Sequence, residues 1–463
     1  MTSINLAQKL NSSEQMNLAE KVQTVFTLSL PGILAQIGEI IMEYIDAAMV
    51  GSLGPAASAS IGLVSSSTWL FGGIASGCAS GFAVQVAHAI GAQDRERARK
   101  IAKQTLMASL IFSLLMTSAG VFISFRLPLW LKADESLWHD ATKYFLFFSL
   151  FMIPRLLSRL CISLLQCTGN MKLPSILSVI MCFLDVVFNF FLILPSRYIF
   201  GIYVPGFGLG VLGAQLGTSF AYLVISLLLF YFAFIKEDSI SLIDNEASWI
   251  CEGKIIHEAV NIGLPIAMEQ SAVTLAQVVG SRIVAPLGTI AIAANSFAVT
   301  AESICYMPGF GISAAATTMV GQALGADRKD YAFSFGWLTT IMGMIVMALM
   351  GMLMYFICPF VFGFMTPDLE VQKLAVDVLR IELFAEPLFA ASIVATGALR
   401  GAKDTFIPGL INLLSIWGVR ITLSLFLVNR IGLYGIWLAM AIELSIRGLL
   451  MLIRLYSCKQ LKK

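Results

Sequence analysis

The chain has 463 residues, 58% of them hydrophobic and 13% charged. So few charges do not cover the apolar surface of a soluble protein of this size, so a membrane is the expected solvent. The net charge of +2 says nothing about nucleic acid, but there is no basic patch interleaved with aromatics, so nucleic acid is not an expected partner.

In chain order, residues 1–24 are polar, with Lys9, Glu14, Glu20 and Lys21, and read as a cytosolic segment resting at the interface. The apolar run starts too late for a cleavable signal peptide. A spanning helix needs roughly 20 mostly apolar residues. Twelve such segments follow, at 25–51, 58–87, 104–128, 140–166, 174–195, 209–235, 258–284, 290–322, 332–363, 372–399, 405–427 and 432–455. The expected fold is an all-α integral membrane protein. Its lobes are residues 25–235 (spans 1–6) and 258–455 (spans 7–12), around a central cleft. A charged connector at 236–257 and a cytosolic tail at 456–463 complete the chain. The 8 cysteines are scattered, never form CxxC, and read as small apolar fillers.

The halves repeat. Leu30-Pro31, Gln36, Leu53-Gly54, Ala57, Gly77, Val86 and Gly91-Ala92 recur 234 positions on as Leu264-Pro265, Gln270, Leu287-Gly288, Ala291, Gly311, Val320 and Gly325-Ala326, with no gap. A duplicated membrane domain with acids inside it is the sequence signature of a secondary transporter. Six spans per copy make the copies enter from the same side, related by an axis along the membrane normal. With the amino terminus inside, Arg95, Arg97, Arg99, Lys100, Lys236, Arg328, Lys329, Arg400, Lys403, Lys459 and others give a more than twofold cytosolic excess of Lys and Arg. Both termini are therefore expected in the cytosol.

A carboxylate at a helix centre costs roughly 2.5–3.5 kcal/mol on insertion scales, so intramembrane acids mark function. In span 1, Gln36, Glu39, Glu43 and Asp46 line one face over about 15 Å, a candidate H⁺ or Na⁺ relay. The structural alternative is pairing with Arg155 and Arg159 of span 4. Asp185 and Asn189 of span 5 point one way and complete a candidate ion cage, or serve as packing glue. Span 7 offers Glu269 for ion binding and Gln270 beside it, just after Pro265. Asn295, Glu302 and Tyr306 of span 8 and Glu382 and Glu386 of span 10 are substrate-cleft candidates. Glu443 and Arg447, i and i+4 in span 12, read as a structural pair, and Arg420 of span 11 is a further partner for these acids. The 32 Phe and 21 Met mostly face lipid, though a Met-lined cavity with aromatics beside acids suits varied organic cations.

There is no Walker loop, HExxH, GxSxG or paired-aspartate motif, so no enzyme activity, nucleotide, metal or other cofactor is expected. Energy would come from an H⁺ or Na⁺ gradient or from the solute's own.

At three places the chain resembles the multidrug and toxic compound extrusion (MATE) family. They are Asp46-Ala-Ala-Met-Val-Gly51-Ser-Leu-Gly54; the loops Ala89-Ile-Gly-Ala-Gln-Asp-Arg and Ala323-Leu-Gly-Ala-Asp-Arg-Lys; and Gly397-Ala-Leu-Arg400-Gly401-Ala-Lys-Asp404-Thr405, echoed at Gly169-Asn170-Met-Lys-Leu-Pro174. The resemblance runs from Val25 to Arg454. It implies two six-helix lobes around a V-shaped cleft and antiport of H⁺ or Na⁺ against organic, often cationic, compounds. It implies functional acids at Asp46 and at Glu269. The chain departs from the family where the span 5 pair, usually Asn then Asp, is reversed, and where Phe389 stands at an expected span 10 acid, which Glu382 or Glu386 would replace. A monomer in a bacterial inner membrane is the expected setting, with bilayer and small-molecule substrate as partners. The competing reading is a flippase for lipid-linked saccharides or similar precursors in the same wider superfamily; an acid-rich interior argues against its anionic substrate.

Overall fold

The computed structural model describes residues 6–12, 16–131, 134–199, 202–243 and 252–462. Lys132, Asp244, Glu246, Cys251 and Lys463 lie outside the described residues.

The order is Leu6–Asn11 (α1), Leu18–Gly51 (α2), Pro55–Gly91 (α3), Arg95–Ser124 (α4), Leu127–Trp130 (α5), Glu135–Leu150 (α6), Met152–Cys167 (α7) and Lys172–Leu192 (α8). A hairpin of Pro195–Ile199 (β1) and Ile202–Phe207 (β2) follows, then Val211–Phe230 (α9), which runs on as a π-helical turn, Tyr231–Lys236. The second half holds Gly253–Val284 (α10), Thr289–Gly325 (α11), Lys329–Met365 (α12), Leu369–Leu383 (α13) and Glu386–Gly401 (α14). Phe406–Leu414 (α15), π-helical Ser415–Ile421, Thr422–Ile431 (α16) and Leu433–Ser457 (α17) complete it.

Among the described residues ten helices are long and apolar enough to cross a membrane, and α6 with α7, bent by 51°, makes an eleventh span. Of the twelve expected spans, spans 4 and 10 are each broken into two helices. The physical reason is the same twice. Pro154 cannot donate to the carbonyl of Leu150, the last residue of α6, and Pro387 cannot donate to that of Leu383, the last residue of α13. The hairpin is a second difference: Tyr198 pairs with Tyr203, their rings 5.5 Å apart, in what reads as a plain loop. The seven cysteines described are free thiols.

The repeat extends into backbone conformation. Gly54 and Gly288 have φ of 110° and 93°, Gln93 and Asp327 both 56°, and Gly169 and Lys403 93° and 61°. Each pair is separated by the same 234 positions. The left-handed residue at these three corners is thus fixed by the turn and not by residue type, since only some are glycine.

Two compact units emerge. One comprises Gly38–Val86 and Asp94–Ala267, the other Met1–Ile37, Ala87–Gln93 and Met268–Lys463. Their borders run through α2 and α10, not through the connector. In the first unit α3 crosses α10 so closely that a Cβ on Gly77 would come within 2.6 Å of the Gly263 carbonyl oxygen. In the second, α2 crosses α11, and a Cβ on Gly32 would come within 2.9 Å of the Gly311 carbonyl oxygen. Small residues permit such backbone approach between membrane helices. Since α10 copies α2 and α11 copies α3, each unit takes in the opening part of the other half's first helix. The two Ala-x-Gly-Ala loops meet in the second unit: Gly91 lies against the backbone of Gln322, and Gly325 against that of His88.

The core of the first unit includes Phe71, Phe145 and Phe148, with ring centroids 5.5–6.4 Å apart. That of the second packs Trp437 and Phe362 against a stripe of alanines on α11, Ala294, Ala298 and Ala301.

Candidate functional site

In the first unit α2 carries Asp46 to α8. The Asn189 side-chain amide donates from Nδ2 to Asp46 Oδ1 at 2.8 Å and to Asp185 Oδ2 at 3.1 Å. Asp185 and Asn189 are fully buried and Asp46 is half-buried. Asp185 Oδ1 and Asn189 Oδ1 are buried without a hydrogen-bond partner. Glycine is needed opposite: a Cβ on Gly217 of α9 would land on Asn189 Oδ1. One amide thus bridges two carboxyl groups, and each still has lone pairs for a small cation.

Arg155 does not ion-pair with the span 1 acids. Its guanidinium lies 4.8 Å from the Phe148 ring centroid and 4.6 Å from that of Tyr222, with Nε buried and unpaired. From there its charge acts on Asp185 and Tyr144. Arg159 bonds Ser76 Oγ at 3.4 Å instead. Glu39 is half-buried, Glu43 is exposed within the chain, and each is near enough for its charge to act on the other. Gln36, at the top of the same face, belongs to the second unit.

In the second unit Glu269 is fully engaged. Arg400, at the end of α14, pairs with its Oε2 at 3.1 Å, and Asn412 of α15 donates to its Oε1. Its neighbour Gln270 is half-buried, and its backbone carbonyl accepts from Thr274. Asn295 accepts from Trp437 Nε1 at 3.0 Å, a packing role between α11 and α17. Tyr306 stacks beside Phe310 and Phe389, with centroids 6.1 and 5.4 Å away.

A second acid cluster is sealed in this unit. Glu302 is 6% exposed, and Glu382, Glu386 and Glu443 are 0%. Both oxygens of Glu382 and both of Glu386 are buried without a hydrogen-bond partner. Glu302 and Glu386 lie close enough for their charge to act on Glu382, as does that of Arg420. Glu443 pairs with Arg447 at 3.0 Å, as its i,i+4 spacing predicts. Arg420 turns its guanidinium to Met440 Sδ. Arg447 also lies 5.4 Å over Phe389, so where the resemblance expects an acid the chain holds an aromatic platform for an arginine. Among the described residues no three His, Cys, Asp or Glu groups stand in metal-holding geometry.

Of the residues singled out in the sequence, the structure brings Asp46, Asp185 and Asn189 into contact; Gly217 and Asn412 were not among them. Gly217 is one more glycine among 37; Asn412 is one amide in an apolar span. Neither has a local signal, because each matters only through a neighbour on another helix.

A duplicated bundle of membrane helices with buried acids on facing helices defines a polytopic membrane transporter, not an enzyme. The chain belongs to the MatE family: the family profile matches residues 31–191 and again 265–426, opening each time on the repeated proline. Among curated relatives it is similar to a "Probable multidrug resistance protein NorM" of Thermotoga maritima, 24% identical over 94% of this chain and 92% of that one. The protein of the same description in Streptococcus pneumoniae R6 is 28% identical, covering 94% of each. Among solved structures, a MATE in complex with MaL6 superposes with TM-score 0.88 at 18% identity over 99% of this chain and 100% of that one. An outward-facing multidrug resistance MATE family transporter of the MOP superfamily gives 0.87 at 19% identity, covering 100% of both. A MOP superfamily transporter from Pyrococcus furiosus, described as having a binding pocket of reverse polarity, gives 0.88 at 18% identity and the same coverage.

Proposed function

We propose that the protein exports amphipathic organic cations across a bacterial inner membrane by antiport against H⁺ or Na⁺, with both termini in the cytosol. The observation that carries this reading is the Asn189 amide held between Asp46 and Asp185. Two carboxylates so close repel each other, and a cation taken up between them relieves that repulsion. An organic cation approaching the same acids competes for the same negative charge. Ion and substrate then favour different arrangements of the two six-helix lobes, 25–235 and 258–455, which is the requirement for exchange. Glu39 and Glu43 extend the path along α2. The relatives' description as multidrug resistance proteins supports export of varied compounds.

The second acid cluster supports a role for the carboxy-terminal half in the same cycle. Arg420 acts on Glu302 and Glu382, and Arg447 on Glu302 and Glu443, which leaves four acids beside two arginines among these groups; a buried net negative charge is too costly to stand unneutralised. Glu269 is already neutralised by Arg400, so it acts in this arrangement as a pairing residue whose release accompanies the ion step.

Everted vesicles with a dye cation outside, under a pH gradient and a Na⁺ gradient imposed separately, test the reading. Uptake under one gradient and loss of at least tenfold in Asp46→Asn is expected. Wild-type uptake by Asp46→Asn sinks the site assignment. Binding of polyprenyl pyrophosphates in place of dye cations sinks the substrate class and favours the flippase reading.

A further inference from the structure

The first unit holds an intramembrane arginine that the proposed exchange does not use. Arg155 stands in the first turn of α7, just past the break that bends α6 against α7 by 51°. Phe148, in the last turn of α6, supplies one ring to it, and Tyr222 of α9 a second. The guanidinium carbon lies 4.8 Å from the first ring centroid and 4.6 Å from the second, inside the roughly 6 Å reach of a cation–π contact. An ionisable side chain at membrane depth is costly, so one kept there calls for a role.

Aromatic rings hold an arginine without cancelling its charge. Arg155 Nε is buried with no hydrogen-bond partner. The charge acts on Asp185, Tyr144 and Tyr222. Tyr144 also feels Asp46 and Asp185, so the arginine, the tyrosine and both acids share one interior. The other charged groups nearby are Arg159 of α7 and Glu39 of α2, which act on Tyr222, and Glu43 of α2, which acts on Asp46. An arginine paired directly to Asp185 would take up lone pairs that a transported cation needs. Held by the rings, it leaves both carboxyl groups open to a ligand and still offsets one unit of their negative charge.

We propose that Arg155 is a specificity-determining residue, which makes the Asp46–Asp185 site select singly charged over doubly charged organic cations. The inference rests on the reading that this pair meets the organic cation. Two carboxylates bridged by one amide, with no cation beside them, would reward a second positive charge on the ligand. With the guanidinium fixed at their side, that second charge meets a like charge and gains little. Built-in repulsion of this kind rejects the wrong ligand without adding a contact to the right one. One unit charge acting across a partly buried site is worth about tenfold in affinity.

The test uses the full chain in neutral detergent at fixed pH and salt, titrated with ethidium and with propidium. These dyes share one ring system and carry one and two positive charges. The wild type is expected to bind ethidium more tightly. In Arg155→Gln the ratio of the propidium Kd to the ethidium Kd should fall about tenfold, and in Arg155→Lys, which keeps the charge, it should stay within about twofold of wild type. A role in packing alone would weaken both dyes alike in Arg155→Gln and leave the ratio unmoved, which overturns the inference, as does an equal fall in Arg155→Lys. A wild type that binds propidium as tightly as ethidium overturns it whatever the variants do. Asp46→Asn separates the two readings. If it leaves ethidium binding unchanged, the site assignment itself fails; if it weakens ethidium binding while Arg155→Gln keeps the wild-type ratio, only the role of Arg155 fails.

Discussion

Asn189 holds Asp46 at 2.8 Å across 143 positions of sequence, and through the same nitrogen it holds Asp185 four residues away. One amide nitrogen donates to both acids, so the geometry of the pair depends on it.

A proton or Na⁺ held at this pair should leave when the substrate arrives. Adding a dye cation to purified protein in weakly buffered solution should release protons if H⁺ is the ion. Asp46→Asn/Asp185→Asn should release at least fivefold fewer. A wild-type proton yield from the double variant places the ion elsewhere.

Gly217 is a spacing requirement for Asn189. Gly217→Ala forces the amide out of place, and overpacking of this kind costs about 1–3 kcal/mol. Its thermal unfolding midpoint should fall and its dye transport should drop more than tenfold. Gly280→Ala is the comparison: a Cβ there meets nothing within 4 Å, so stability should hold or rise slightly.

Glu269 and Arg400 form a largely buried pair, 10% and 24% exposed at the side chain. Removing one partner strands the other's charge, at a cost of about 3–5 kcal/mol for a fully buried pair and less here because Arg400 touches solvent. Arg400→Gln and Glu269→Gln should each lower the unfolding midpoint. The double variant should recover part of the loss. Additive losses would show that the pair is not coupled.

Arg447 compensates Glu443 at 3.0 Å, in a pair whose acid is fully buried and whose arginine is 10% exposed at the side chain. Arg447→Leu should destabilise by about 3–5 kcal/mol, whereas Arg447→Leu/Glu443→Leu should return close to wild type, because an apolar pair of similar volume fits a buried site. Guanidinium or urea unfolding of the solubilised protein reads the difference.

Much of the fold was legible from the chain. Apolar runs give the spans, since the bilayer sets their length, and the repeat gives the two halves because Pro31, Gly54 and Gly91 recur in register at Pro265, Gly288 and Gly325. The broken spans were written there too, in Pro154 and Pro387, but a proline inside an apolar run also occurs unbroken, as Pro31 does in α2. Hydropathy does not separate the two cases; the packing that re-satisfies the freed carbonyl does.

The sequence by itself determined that the protein is a duplicated helical membrane bundle with acids on α2, α8, α10, α11, α13, α14 and α17, because periodicity and the cost of burying charge are local properties of the chain. Apart from Glu443 and Arg447, paired within one helix, only the tertiary structure decided what the acids face. Glu269 and Asp46 look alike as carboxylates in the first helix of each half, yet one meets a guanidinium from α14 and the other an amide from α8. Partner identity is set by which helices cross and at what height, and those crossings rest on glycine contacts between segments far apart in sequence, such as Gly77 with Gly263 and Gly32 with Gly311.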